Sequence, residues 1–143
     1  MARYALAAPK TTGAAAGFIT QLRAGASRDL RVYEIGCFTA SAVSGTVGLI
    51  RPSAVGATFT SVGPGAAEDA AVGAGLAVVD TAITTVPTIG TVFMRRVVLP
   101  ASIGAGIIWT FPLGINVPVN GGLDLHQISA AAVSYETYFV YEE

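Results

Sequence analysis

The chain has 143 residues, 52% of them hydrophobic and only 12% charged, with eight Lys and Arg against nine Asp and Glu. One domain is expected at this length. Disorder needs low hydrophobicity and high net charge, nucleic-acid binding a basic surface, a disulfide scaffold paired cysteines and a coiled coil charged flanking positions, and none of these is present. What remains is a compact, weakly charged fold that hides some of its surface in an assembly.

The first 16 residues are rich in Ala and small polar side chains. They are expected to form an extended N-terminal arm, residues 1–16, ahead of a single domain over residues 17–143. Met1 to Gly17 holds no apolar block of signal-peptide length, since Pro9, Lys10, Thr11 and Thr12 break it. Synthesis and folding in a cytoplasm are therefore expected.

From Phe18 onward the punctuation and residue types predict short strands. The candidates are Phe18–Arg23, Leu30–Ala40 and Gly45–Arg51, the last stopped by Pro52. Ser53–Gly75 reads as a glycine-rich loop in which Phe59 pins part of the chain to the core. Leu76–Thr85, Thr91–Leu99, Ile107–Phe111, Ile115–Val119, Leu123–Ile128 and Val133–Tyr141 complete the set. A helix over Ala66–Thr81 competes, weakened by Gly73 and Gly75 at about 1 kcal/mol each.

The last strand alternates most clearly. Val133, Tyr135, Thr137, Phe139 and Tyr141 share one face and are assigned to the core; Ser134, Glu136, Tyr138, Val140 and Glu142 share the other. Val97–Leu123 carries no charge and is long enough to cross a bilayer. Pro100, Pro112 and Pro118, with several glycines, break it into strands and turns instead. The fold class expected is all-β, a jelly-roll-like antiparallel β-sandwich.

Catalysis requires a constellation. His126, the lone histidine, follows Asp124 by two residues, so both share one strand face as the orienting half of a triad would. No Ser in a nucleophile elbow completes it, and structural polar residues are the better reading. One His and one Cys cannot close a tetrahedral metal site within a chain; a three-fold site with one His126 per subunit is the remaining route. Cys37, inside a strand, is expected to be a buried, inert thiol. Glu68 and Asp69 read as a solvated loop tip, and Gly104 and Gly106 as a tight turn or close backbone approach. Arg95 and Arg96 face opposite sides, one of them suited to a salt bridge with Glu34 or Glu136. Trp109, Tyr135, Tyr138 and Tyr141 are the aromatics available for sugar binding, although strand aromatics more often fill cores. No catalytic, cofactor-binding or metal residue is assigned.

Several segments resemble small β-rich virion proteins of tailed bacteriophages, of the head decoration or minor capsid type. These are RYALAAPKTT, LRVYEIGCF, VGLIRP, PTIGTVFMRR, IGAGIIWTFPLGINVPVNGGL and YETYFVYEE, which together span most of the chain. The resemblance implies a structural protein rather than an enzyme, located in the virion on the capsid surface. It implies the major capsid protein or other virion proteins as partners, a homo-oligomer with a trimer as the expected form, and no membrane or nucleic-acid partner. A tail, neck or fibre component with a carbohydrate- or receptor-binding β-sandwich is the alternative. The arm is expected to staple a neighbouring subunit, so that its deletion would leave the fold intact.

Overall fold

The computed structural model describes residues 1–11, 17–129 and 131–143. Eleven strands form in chain order: β1 Arg3–Thr11, β2 Gly17–Arg23, β3 Leu30–Thr39, β4 Gly45–Ile50, β5 Ala57–Val62, β6 Ala66–Ala67, β7 Val78–Thr85, β8 Arg95–Leu99, β9 Gly106–Val117, β10 Gly122–Gln127 and β11 Ser134–Glu142. They build two antiparallel sheets, sheet A in the order β6-β1-β11-β3-β9 and sheet B in the order β5-β7-β2-β10-β4-β8.

The pairing is nested. β1 pairs with β11, β2 with β10, β3 with β9 and β4 with β8, all antiparallel. The first four strands and the last four thus form one long antiparallel ribbon. Consecutive rungs alternate between the two sheets, which is the winding of a jelly roll. β5, β6 and β7 lie inside the long connection between β4 and β8 and extend the two sheets at their other edges.

The core lies between the sheets. Ile35, Cys37, Tyr135, Phe139 and Tyr141 of sheet A meet Leu22, Val47, Leu49, Val79, Leu123 and Leu125 of sheet B. The alternation expected of β11 is observed: Tyr135, Phe139 and Tyr141 are fully buried, while Glu136 is exposed and Tyr138 half-buried. Thr137 also points inward, where its hydroxyl donates to Ala8 O at 3.0 Å. Lys10 Nζ ties sheet A to sheet B by donating to Thr81 O at 2.6 Å.

Four expectations need correction. Residues 3–11 are not an arm but a strand in register with β11 from Arg3↔Glu142 to Thr11↔Ser134. Tyr4, Leu6 and Ala8 are buried in the core, because an alternating Tyr-x-Leu-x-Ala face suffices once a partner strand is present. Residues 12–16 of the expected arm lie outside the described residues. Second, Ser53–Gly75 holds β5 and β6; β5 is an edge strand with almost no buried side chain, so it lacks a hydrophobic period. Third, the competing helix over Ala66–Thr81 does not form; the segment runs from β6 through a turn into β7, the strand expected at Leu76–Thr85. Fourth, the two strands expected at Ile107–Phe111 and Ile115–Val119 are one, β9 Gly106–Val117. β9 continues past Pro112 by a bulge opposite Tyr33, between the pairs Val32↔Ile115 and Glu34↔Thr110. Gly114 serves that bulge at φ +69°, with the Arg31 side chain where a Cβ would stand.

Candidate functional site

A polar row crosses the outer face of sheet B. Register places Ser61 beside Asp80, Asp80 beside Gln21, Gln21 beside Asp124 and Asp124 beside Ile50. Five strands each give one residue to this line, and period 2 turns all of them away from the core. Asp80, Gln21 and Asp124 are nonetheless fully buried, and His126, one outward step along β10, is 2% exposed.

Cover comes from the β4–β8 connection. Ser53 N donates to Thr88 O at 3.0 Å, and Ala54 bridges Thr88. The stretch before β8 then lies against the sheet, with the Phe93 ring where a Cβ on Gly48 would stand. Ile89, Phe93, His126 and Ile128 line a cavity of about 230 Å³. Phe18 meets the His126 ring edge-on at 5.9 Å.

The row is closely bonded. Arg23 grips Asp80 with Nε on Oδ2 at 2.8 Å and Nη2 on Oδ1 at 3.0 Å, and the Ser61 hydroxyl donates to the same carboxylate. The guanidinium carbon sits 4.0 Å from the Phe59 ring centre, so Phe59 packs on this outer face and does not pin the segment to the core. Gln21 Nε2 donates to Asp124 Oδ1 at 2.6 Å, and His126 Nε2 lies 3.4 Å from Asp124 Oδ2. Gln21 Oε1 is buried without a hydrogen-bond partner among the described residues.

Asp124 and His126 therefore share a face and approach each other, as their spacing predicts. The structure surrounds them with Gln21, Phe18 and Phe93. His126 is too deeply covered to meet copies of itself on a three-fold axis, which removes that metal route. Among the described residues no three His, Cys, Asp or Glu side chains are placed to hold a metal ion. Cys37 is fully buried, and burial pushes its thiol up to about 12. Arg95 meets neither Glu34 nor Glu136: its guanidinium lies 5.6 Å from the Phe111 ring centre and Nη1 donates to Met94 O at 2.8 Å. Glu68 pairs with Arg3 at 3.3 Å on the surface, and Asp69 Oδ1 accepts from Ala71 N at 2.9 Å. Gly104 turns at φ +81°, and Gly106 lies against the Phe38 ring.

Burial raises the Asp124 carboxyl above its ordinary value; hydrogen bonds from His126 and Gln21 oppose this, and the nearby Asp80 adds to it. A folded value above the unfolded one gives stability that is full below the unfolded pKa, about 4, and is lost as pH rises through the folded pKa. Asn at this position still accepts from Gln21 and never ionises. Asp124→Asn is accordingly expected to melt higher than the wild type at about pH 7, with the gap closing toward about pH 4. Melting curves across that range check it. A variant that melts lower at neutral pH would show that the carboxylate's bonds outweigh its desolvation.

No protein-family model, curated protein or solved structure matches this chain.

Proposed function

We propose that this protein is a structural component of a tailed-bacteriophage virion, in first place a capsid decoration protein that binds the assembled shell as a homotrimer. The observation that carries this reading is an apolar, acid-free flank of the sandwich. β8 and β9 are the outer strands of their sheets on the same side, joined across the gap by Arg95 over Phe111. Along this side Val98, Ile103, Ile108 and Leu113 are 69%, 71%, 49% and 88% exposed. Between Asp80 and Asp124 the sequence has no acidic residue, and its only charges are Arg95 and Arg96.

A soluble monomer normally guards a long edge strand with charge. β9 runs for twelve residues without one. The arrangement suits burial against another chain, since lasting interfaces are more apolar than ordinary surface. Acting on a shell, such a protein stabilises by mass action: it binds the assembled form and not the dispersed one. The segments that resemble virion proteins support the same reading, and the major capsid protein is the partner it implies. Placement on a tail, neck or fibre uses the same flank against a different neighbour.

Light scattering on the eluting protein and co-sedimentation with purified phage particles test this. The wild type is expected to elute as a trimer and to sediment with particles. Val98→Asp/Leu113→Asp, which puts two carboxylates on the flank, is expected to elute as a monomer and stay in the supernatant. A wild type that is monomeric at high concentration and absent from particles overturns the proposal.

A further inference from the structure

The outer face of sheet A carries a flat aromatic platform that the flank reading does not use. Tyr138 and Phe38 point outward from β11 and β3, and each ring leans across the neighbouring strand. The Tyr138 ring occupies the space where a Cβ on Gly36 would stand, and the Phe38 ring the space above Gly106. Any larger residue at either glycine would lift the ring. The two rings are nearly parallel, 17° apart with centres 6.3 Å from each other, and both are half-buried.

Carboxylates border the rings. Tyr138 OH donates to Glu34 Oε1 at 2.7 Å. Glu136, exposed, stands across from Phe38 in the strand register. A hydrogen-bonded carboxylate keeps free lone pairs for further donors. A purely apolar partner would strip water from both carboxylates without replacing those bonds. A ligand with an apolar face and a rim of hydroxyl donors meets both demands.

The geometry points to a saccharide site on this face, with pyranose rings laid on Phe38 and Tyr138 and their hydroxyls donating to Glu34 and Glu136. The pyranose C–H face matches a flat π surface, and two side-by-side rings suit two units of a chain. The concentration of carboxylates selects neutral sugars over uronic or sialic acids. The site adjoins β9 through Gly106 and Ile108 and does not depend on where in a virion the chain sits.

Affinity electrophoresis in gels containing a soluble neutral β-glucan or galactomannan, with polygalacturonate as the acidic control, tests it. Retardation by at least one neutral polymer and none by the acidic one is expected. Phe38→Leu/Tyr138→Leu keeps apolar cover on the two glycines but removes the π surface, and should weaken retention roughly tenfold, about 1.4 kcal/mol. Glu136→Ala, on an exposed side chain, should weaken it several-fold with an unchanged melting curve. No retardation by either neutral polymer, equal retardation by polygalacturonate, or retention unaltered in both variants overturns the assignment.

Discussion

Deletion of residues 1–11 is expected to leave a chain that does not fold, the opposite of what an arm would do. β1 forms the first rung of the nested ribbon and is hydrogen-bonded to β11 along its whole length. Tyr4 stacks on Tyr141 with ring centres 5.6 Å apart, and Tyr4, Leu6 and Ala8 close the core over β11. Burying a large apolar side chain stabilises by about 1.5–3 kcal/mol, so Tyr4 and Leu6 together approach the roughly 5–15 kcal/mol that holds a whole domain. The deletion also strips the C-terminal clamp, in which Ala2 and Glu143 exchange backbone bonds at 3.3 and 3.2 Å. That clamp holds the Glu143 carboxylate where Leu76 N and Ala77 N donate to it. Far-UV circular dichroism and amide NMR dispersion decide the matter. A truncated chain that melts cooperatively near the wild-type temperature would show that β2 to β11 close the sandwich alone. Tyr4→Ala is the graded version, with an expected cost of about 3 kcal/mol or more.

Why β1 reads as an arm, while β11 reads as a strand, is a matter of where each strand's information lies. β11 has large side chains on its core face, so period 2 is visible within the segment. β1 has the same period, but two of its nine residues, Tyr4 and Leu6, carry most of the apolar bulk, and Pro9 interrupts it. Pro9 lies beyond the pairs Tyr4↔Ala67 and Ala5↔Ala66 that join β1 to β6. Among the described residues the outer edge there has no strand partner, and a missing N–H costs little. The partner that makes β1 a strand is the last strand of the chain, which no local pattern reveals. Pro112 hides the continuity of β9 in the same way, since a bulge accepts a proline that a regular ladder would reject.

The polar row was legible only where it lies along one strand. Asp124 and His126 are two residues apart on β10, and that spacing alone places them on one face. Gln21 and Asp124 are 103 positions apart, and Arg23 and Asp80 are 57 apart. They meet through sheet register, which nothing in the local sequence states. Their burial is less visible still, because a strand reading assigns that face to solvent and the covering segment comes from a connection between other strands. Tyr138 is visible in the sequence as a strand aromatic, but the glycines that seat it and Phe38 belong to β3 and β9.

Arg23→Met is expected to produce the other large loss of stability. Asp80 is fully buried, and Arg23 satisfies both of its oxygens while keeping 26% of its own side chain exposed. Methionine preserves apolar contact with Phe59 but strands the carboxylate with only the Ser61 hydroxyl. Breaking a buried pair from one side costs about 3–5 kcal/mol, and the partial exposure of Arg23 points to the lower end. Arg23→Met/Asp80→Leu removes both charges, and most of the loss should return, because apolar pairs often replace buried ion pairs at little or no cost. Urea unfolding of the four proteins in this cycle gives the coupling energy directly. If the double variant is as unstable as Arg23→Met, the loss comes from the guanidinium packed on Phe59 rather than from a stranded charge. Recovery in the double variant would mean that the ion pair is dispensable for stability. Its contribution would then be to register, because sliding β7 by one residue against β2 would turn Asp80 into the apolar core.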